Sequence, residues 1–151
     1  RDRDVTGVQT CALPILKRIH LDPIKCDGCK ICELNCSFKH FGVFSHNISN
    51  CHVEAFEDNC DFTPYNCIQC EERNCINACP VGALTIDDKT GAIKVDHDTC
   101  VRCGMCVQVC EHSGIRLITI DGEKRIAVCD LCGGDPQCVH FCYLGAISYK
   151  E

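Results

Sequence analysis

Residues Cys67–Ile86 read CIQCEERNCINACPVGALTI, with four cysteines at Cys67, Cys70, Cys75 and Cys79 and a proline, Pro80, directly after the last. The spacing decides the fold, because it recurs in kind along the chain. Sixteen of the nineteen cysteines fall into four such quartets. The first is Cys26, Cys29, Cys32 and Cys36, the third is Cys100, Cys103, Cys106 and Cys110, and the fourth is Cys129, Cys132, Cys138 and Cys142. The first and third read C-x2-C-x2-C-x3-C, the run that holds iron–sulfur clusters in bacterial ferredoxins. A cubane cluster takes one thiolate on each of four irons. Two-residue gaps let one tight loop aim three sulfurs at three corners, and the fourth cysteine follows about one helical turn later. In two-cluster proteins that last thiolate ligates the neighbouring cluster, so quartets work in pairs. The expectation is four [4Fe–4S] clusters and a chain whose work is moving electrons.

Glycines inside the loops agree. Gly28 lies in the first loop and Gly104 in the third. Glycine tolerates positive φ and lets backbone approach a bulky group, and loop N–H groups aimed at sulfur help set a potential. Two other chemistries use dense cysteine. Zinc sites are built from two C-x2-C pairs and leave no use for a third cysteine at the next gap. Disulfide frameworks belong to short secreted domains, and most of these cysteines are too close in sequence to pair. A structural zinc module stays as a remote alternative.

Val5–Ile15, VTGVQTCALPI, resembles the translation of a common sequencing-library adapter. Residues 1–15 are therefore set aside from fold reasoning, and Cys11 is not expected to be a ligand. The native N-terminus is then expected to be missing, which leaves an export signal open.

About 136 residues remain, enough for one compact domain. Hydrophobic residues make up 46% of the chain, but nineteen of them are cysteines. The apolar core is lean once these are discounted, so clusters must act as structural staples as well as cofactors. Formal charge is −6, and four all-cysteine cubanes bring it to about −14. Such a surface disfavours nucleic acid and anionic membrane. No run approaches the apolar length of a membrane span. Dense thiolate use points to a reducing compartment, the cytoplasm.

Short strands are expected at Ile19–Leu21 and near His52–Phe56, with Phe62-Thr63-Pro64-Tyr65 leading into the second quartet. Leu84–Ile86 and Ala92–Val95 read as one hairpin. Ile115–Ile120 and Arg125–Val128, joined through Asp121-Gly122, read as another. An internal repeat links Cys67–Ile86 with CIQC…-like CDLCGGDPQCVHFCYLGAISY at Cys129–Tyr149. Gly82-Ala83 and Gly145-Ala146 follow the last cysteines, and Gly114 holds a similar place after Cys110. The fold class expected is α+β: two ferredoxin-like two-cluster modules with a pseudo-twofold repeat, short strands and short helices around four clusters. Module one spans about 16–60 plus 125–151, and module two about 61–124.

From Lys17 to Lys150 the chain resembles the four-cluster ferredoxin-type subunits of multi-subunit oxidoreductases. These include the iron–sulfur subunits of the dimethyl-sulfoxide-reductase class and, closer, the small iron–sulfur partner of tungsten aldehyde:ferredoxin oxidoreductases. Carbon-monoxide-dehydrogenase- and hydrogenase-associated ferredoxins are similar. Residues Cys129–Cys138 and C-x2-C-x4-C-x3-C-P at Cys67–Pro80 carry the resemblance most specifically. It implies nested pairing, first quartet with fourth and second with third. One cluster then takes Cys26, Cys29, Cys32 and Cys142, and its neighbour takes Cys129, Cys132, Cys138 and Cys36. A third takes Cys67, Cys70, Cys75 and Cys110, and the fourth takes Cys100, Cys103, Cys106 and Cys79. Spacing alone leaves sequential pairing of the same sixteen ligands open. The chain departs from the family at Tyr143, where proline is usual, and relatives often extend further at the C-terminus. The resemblance implies an electron-wiring subunit of a tungsten or molybdenum enzyme. Its partners would be a large catalytic subunit and a ferredoxin or another electron-transfer subunit. A free polyferredoxin is the alternative.

Cys51 and Cys60 lie outside every quartet and read as small buried residues. The seven histidines show no H-x3-H or HExxH pairing. His140, inside the fourth quartet, reads as packed or solvated, and Lys30 and Arg102 read as solvated charges. No nucleophile–base pair or glycine-rich nucleotide loop appears, so no substrate chemistry is expected.

Overall fold

The computed structural model describes residues 16–56 and 61–151. The chain is a mixed α/β domain of short elements, which fits a ferredoxin-like iron–sulfur fold. Eight strands form four two-stranded antiparallel sheets among the described residues. Strand β1 (Arg18–Leu21) pairs with β8 (Ile147–Lys150), and β2 (His52–Phe56) pairs with β3 (Asp61–Tyr65). Strand β4 (Leu84–Ile86) pairs with β5 (Ile93–Val95), and β6 (Ile115–Ile120) with β7 (Glu123–Val128). Helices are α1 (Ile31–Phe41), α2 (Asn74–Asn77), α3 (Met105–Gln108) and α4 (Gln137–His140), with 3-10 turns at Pro23–Lys25 and Leu131–Gly133.

Both hairpins expected from sequence are present. The β6–β7 turn works because Asp121 and Gly122 both take positive φ, 53° and 83°, the backbone a two-residue type I′ turn requires. The pairing of β1 with β8 is a different matter. Ile19 is opposite Tyr149 and Leu21 opposite Ile147, so the segment before the first quartet is closed by the segment after the fourth. Phe62–Tyr65 is also part of a true strand, and Pro64 sits opposite Val53, acceptable because a two-stranded sheet has a free edge on each strand.

Helix α1 is the only helix among the described residues longer than four residues. It runs through both Cys32 and Cys36 and stops at Gly42, whose φ of 71° lets its N–H donate to the Phe38 carbonyl at 2.9 Å. That is a left-handed C-terminal cap. Helix α1 packs on α4, and α2 packs on α3, which sets the first quartet beside the fourth and the second beside the third.

The core combines aliphatic side chains of the strands (Ile19, Leu84, Ile93, Ile115, Ile126, Ile147) with buried cysteines. Two buried polar side chains stitch it. Gln69 accepts from Ile19 N–H (3.1 Å) and donates to the Cys67 carbonyl (2.6 Å), tying β1 to the second cysteine loop. Glu33 on α1 is 2% exposed. It accepts from Val53 N–H on β2 and lies 2.6 Å from His46 Nδ1. Glu33→Ala strands a buried N–H and uncouples α1 from β2, so it is expected to cost about 3 kcal/mol, read as a shift in thermal unfolding of the loaded protein. No helix among the described residues is long and apolar enough to cross a membrane.

Candidate metal centre

One backbone device repeats in all four quartets. The residue before the second cysteine takes positive φ each time: Gly28 (75°), Gln69 (51°), Arg102 (58°) and Leu131 (56°). Three of these are not glycine, and a non-glycine residue there is strained and calls for a reason. In three quartets a second left-handed residue, Lys30, Arg73 or Gly104, opens the helix that carries the third cysteine. The two reversals curl the chain into a cup and turn successive N–H groups towards its hollow, the nest arrangement that favours an anionic centre.

The quartet cysteines line these cups: Cys26, Cys29, Cys32 and Cys142 share one hollow, and Cys70, Cys75 and Cys110 share another. The Cys26 thiol is raised by burial and then by the charges of Cys32 and Cys142. Cys138 is raised by burial and by Cys36, Cys132 and Cys32. Cys67 is pushed up to about 11 by burial and by Cys75, Cys110 and Cys70. Cys106 is pushed up to about 11 by burial, then by Cys100 and Cys103. Cys129 is raised by burial and by Cys138, with Cys67 and Cys36 also in range. Crowded, desolvated thiols repel as thiolates, so an array like this stays ionised only with a cation among the sulfurs.

Some N–H groups already address sulfur. Ala83 donates to Cys79 Sγ, Gly114 to Cys110 Sγ and Asn50 to Cys36 Sγ, each at 3.3 Å. Leu131 donates to Cys129 Sγ at 3.4 Å. At Cys79 burial works upward, but the N–H groups of Ala83, Val81, Leu84 and Gly82 outweigh it and bring the thiol below its ordinary value. Convergent thiols, turned N–H groups and backbone curled around a hollow fit an iron–sulfur cluster.

Two sequence comparisons agree. Residues 66–113, which hold the second and third quartets, match the 4Fe-4S dicluster domain. The chain is 39% identical over 125 residues to the aliphatic sulfonate oxidoreductase, polyferredoxin-like subunit, of Pyrococcus furiosus, covering 83% of this chain and 70% of that protein. It belongs to the polyferredoxin-like family of electron-transfer iron–sulfur subunits. Members of this family hold [4Fe–4S] clusters and pass electrons within oxidoreductase complexes rather than acting on substrate. A second relative is the NADH-dependent phenylglyoxylate dehydrogenase subunit beta of Aromatoleum evansii, 36% identical over 87% of this chain but only 29% of its own length. Among solved structures, the active site complex BamBC of benzoyl coenzyme A reductase aligns with a TM-score of 0.47 at 20% identity, over 89% of this chain and 75% of that one.

Several groups near the thiols were not legible in the sequence. His40 Nε2 lies 2.9 Å from Asp130 Oδ1, and its Nδ1 lies 2.8 Å from the Cys36 carbonyl. The Asp130 hydrogen bond, then Cys36, pushes the imidazole up to about 11, so it is a cation at neutral pH. Asp130 also accepts from Cys132 N–H at 2.9 Å. The contact spans 90 residues of sequence, and no local motif announces it. Cys51 is buried, as expected, and its thiol is near enough to Cys36 to be the largest influence pulling that thiol down to about 5. Cys60 and Cys11 lie outside the described residues.

Where the sequence departs from its family, the structure shows a replacement contact. The Tyr143 hydroxyl donates to the Asp27 carboxylate in the first loop, bridging the end of the fourth quartet to the start of the first. His140 is exposed and paired with Asp135, so it does not face the thiols as a tuning group would.

Proposed function

We propose that this chain wires electrons between a large catalytic oxidoreductase subunit, of the tungsten or molybdenum type, and a ferredoxin or a further electron-transfer subunit. Four [4Fe–4S] clusters carry the charge, held by the sixteen quartet cysteines. The first cluster takes Cys26, Cys29, Cys32 and Cys142, and the second takes Cys129, Cys132, Cys138 and Cys36. The third takes Cys67, Cys70, Cys75 and Cys110, and the fourth takes Cys100, Cys103, Cys106 and Cys79. Two two-cluster modules follow, about 16–60 with 125–151 and about 61–124, related by a pseudo-twofold repeat within one domain from residue 16 to 151. Use of so many reduced thiols favours the cytoplasm.

The observation that carries this reading is the cross-quartet crowding of thiols. Cys142 lines one hollow with Cys26, Cys29 and Cys32, and Cys110 lines another with Cys70 and Cys75, the last cysteine of one quartet standing among the first three of another. Packing of α1 on α4 and α2 on α3 supports the same nesting. A proposed ligand's chemistry is simple: thiolate holds iron, and each cluster stores one electron. Protein groups set how readily, through burial, charge and hydrogen bonds to sulfur.

Paired variants test the assignment. In anaerobically prepared protein, Cys26→Ser and Cys142→Ser are expected to alter the same paramagnetic signal on reduction, and Cys79→Ser a different one. Sequential pairing would instead group Cys26 with Cys79. Tagged protein from its native host should co-purify with a subunit containing tungsten or molybdenum by metal analysis. A lone monomer would turn the reading to a free electron carrier.

A further inference from the structure

A cleft of about 340 Å³ opens between the end of α1, strands β5–β7 and the fourth cysteine loop. Its lining is cationic although the chain is acidic, with 21 Asp and Glu against 15 Lys and Arg. Lys94 and Arg125 supply its positive charge, with the imidazoles of His40 and His97 beside them. Asp130, the one carboxylate among its lining residues, is held by His40 and the Cys132 N–H. Lys94 reaches Asp87 at 3.1 Å but stays 61% exposed. Among the described residues no carboxylate pairs with Arg125. Arg102 of the third cysteine loop is close enough, with Arg125, to depress the His97 imidazole in addition to its burial, while Asp96 and Asp98 oppose them.

The position matters as much as the charge. Behind the cleft, His40 and Asp130 hydrogen-bond to the backbone of Cys36 and Cys132. Beside it runs the third loop, where Cys103 is exposed. Cationic groups spread over β5 (Lys94), β7 (Arg125) and the third loop (Arg102) suit a row of carboxylates better than one small anion. We propose that this cleft docks a small acidic iron–sulfur electron carrier by its surface carboxylates. The proposal rests on the electron-transfer reading above. The step is outer-sphere: one electron leaves this chain and one is gained by the carrier, with no bond made or broken and no proton required.

The test uses the loaded protein reduced in stopped flow against a purified acidic eight-iron ferredoxin, with methyl viologen as a small cationic acceptor. At low ionic strength Arg125→Glu is expected to slow transfer to the ferredoxin about ten-fold or more. Lys94→Gln with Arg125→Gln should do the same to a lesser degree, and Lys150→Glu, remote from the cleft, should not. Reaction with viologen should hold in all variants, and visible absorption confirms that each keeps its clusters. Carbodiimide should cross-link Lys94 to ferredoxin carboxylates in the unaltered protein. Ferredoxin rates within two-fold of the parent in both cleft variants, or an equal loss in Lys150→Glu, would overturn the proposal. So would saturable inhibition by millimolar phosphate at constant ionic strength, which marks a small-anion pocket. Failure to react with viologen as well would instead sink the electron-transfer reading itself.

Discussion

Stripping iron and sulfide from the protein is expected to abolish its native far-ultraviolet circular dichroism. Of the 22 buried apolar side chains among the described residues, eight are cysteines. Ten of the other fourteen are divided among four separate two-stranded sheets, and an isolated hairpin is at best marginally stable in water. Three of the four α-helices are single turns of four residues, far below the length at which a helix stands alone. Structural metal sites in small domains contribute on the order of 10 kcal/mol each, against a whole-domain stability of about 5–15 kcal/mol. The protein interior therefore depends on the groups its thiols hold. Burial, and after it the charge of neighbouring thiols, raises Cys67, Cys106, Cys129 and Cys138, so ionising them adds to the instability of the stripped chain. A stripped chain with native ellipticity and a cooperative thermal transition would show that the polypeptide folds unaided.

Gly114→Ala is expected to be the most damaging single change outside the cysteines. A Cβ at this position would lie 2.6 Å from Cys67 Cα and 2.7 Å from both the Asn66 carbonyl oxygen and Cys67 N. These are backbone atoms of the second cysteine loop, with no flexible end to swing aside. Relief requires moving the tail of the third quartet away from the start of the second, which pulls Gly114 N–H from Cys110 Sγ. The expected cost is about 3 kcal/mol, accompanied by loss of about four irons from the cluster proposed for Cys67, Cys70, Cys75 and Cys110. Gly82→Ala is the control. It also follows a last cysteine, but an added Cβ meets nothing within 4 Å, and only its φ of 64° resists the change. That strain costs about 1 kcal/mol, with the iron content unchanged. Equal behaviour of the two variants would show that the close approach at Gly114 is not what matters.

The same pair shows where sequence is a good guide and where it slips. Gly82 and Gly145 lie three residues after their last cysteines and take positive φ, 64° and 65°. By sequence Gly114 reads as their counterpart. The true counterpart is Ser113, with φ 50°, and Gly114 aligns with Ala83, since each donates its N–H to the cysteine four residues before it. One residue type serves two needs, a left-handed turn and room for backbone, and only coordinates distinguish them. Local signals were otherwise reliable. The β4–β5 and β6–β7 hairpins follow from alternating apolar residues around polar turns. The β1–β8 pairing, Gln69 bridging to Ile19, and His40 meeting Asp130 join residues from 50 to 132 positions apart. No periodicity encodes such contacts, because each joins segments that are distant in sequence. Cys51, outside every quartet, reaches the neighbourhood of Cys32 and Cys36 from the loop before β2, which no spacing announces.

Quantifying iron and acid-labile sulfide in anaerobically purified protein, together with its paramagnetic spectra on reduction, tests the central claim most directly. About sixteen irons and sixteen sulfides per chain, with interacting signals from neighbouring reduced cubanes, is the predicted result. Zinc without sulfide, or far less iron and no signal on reduction, would contradict it.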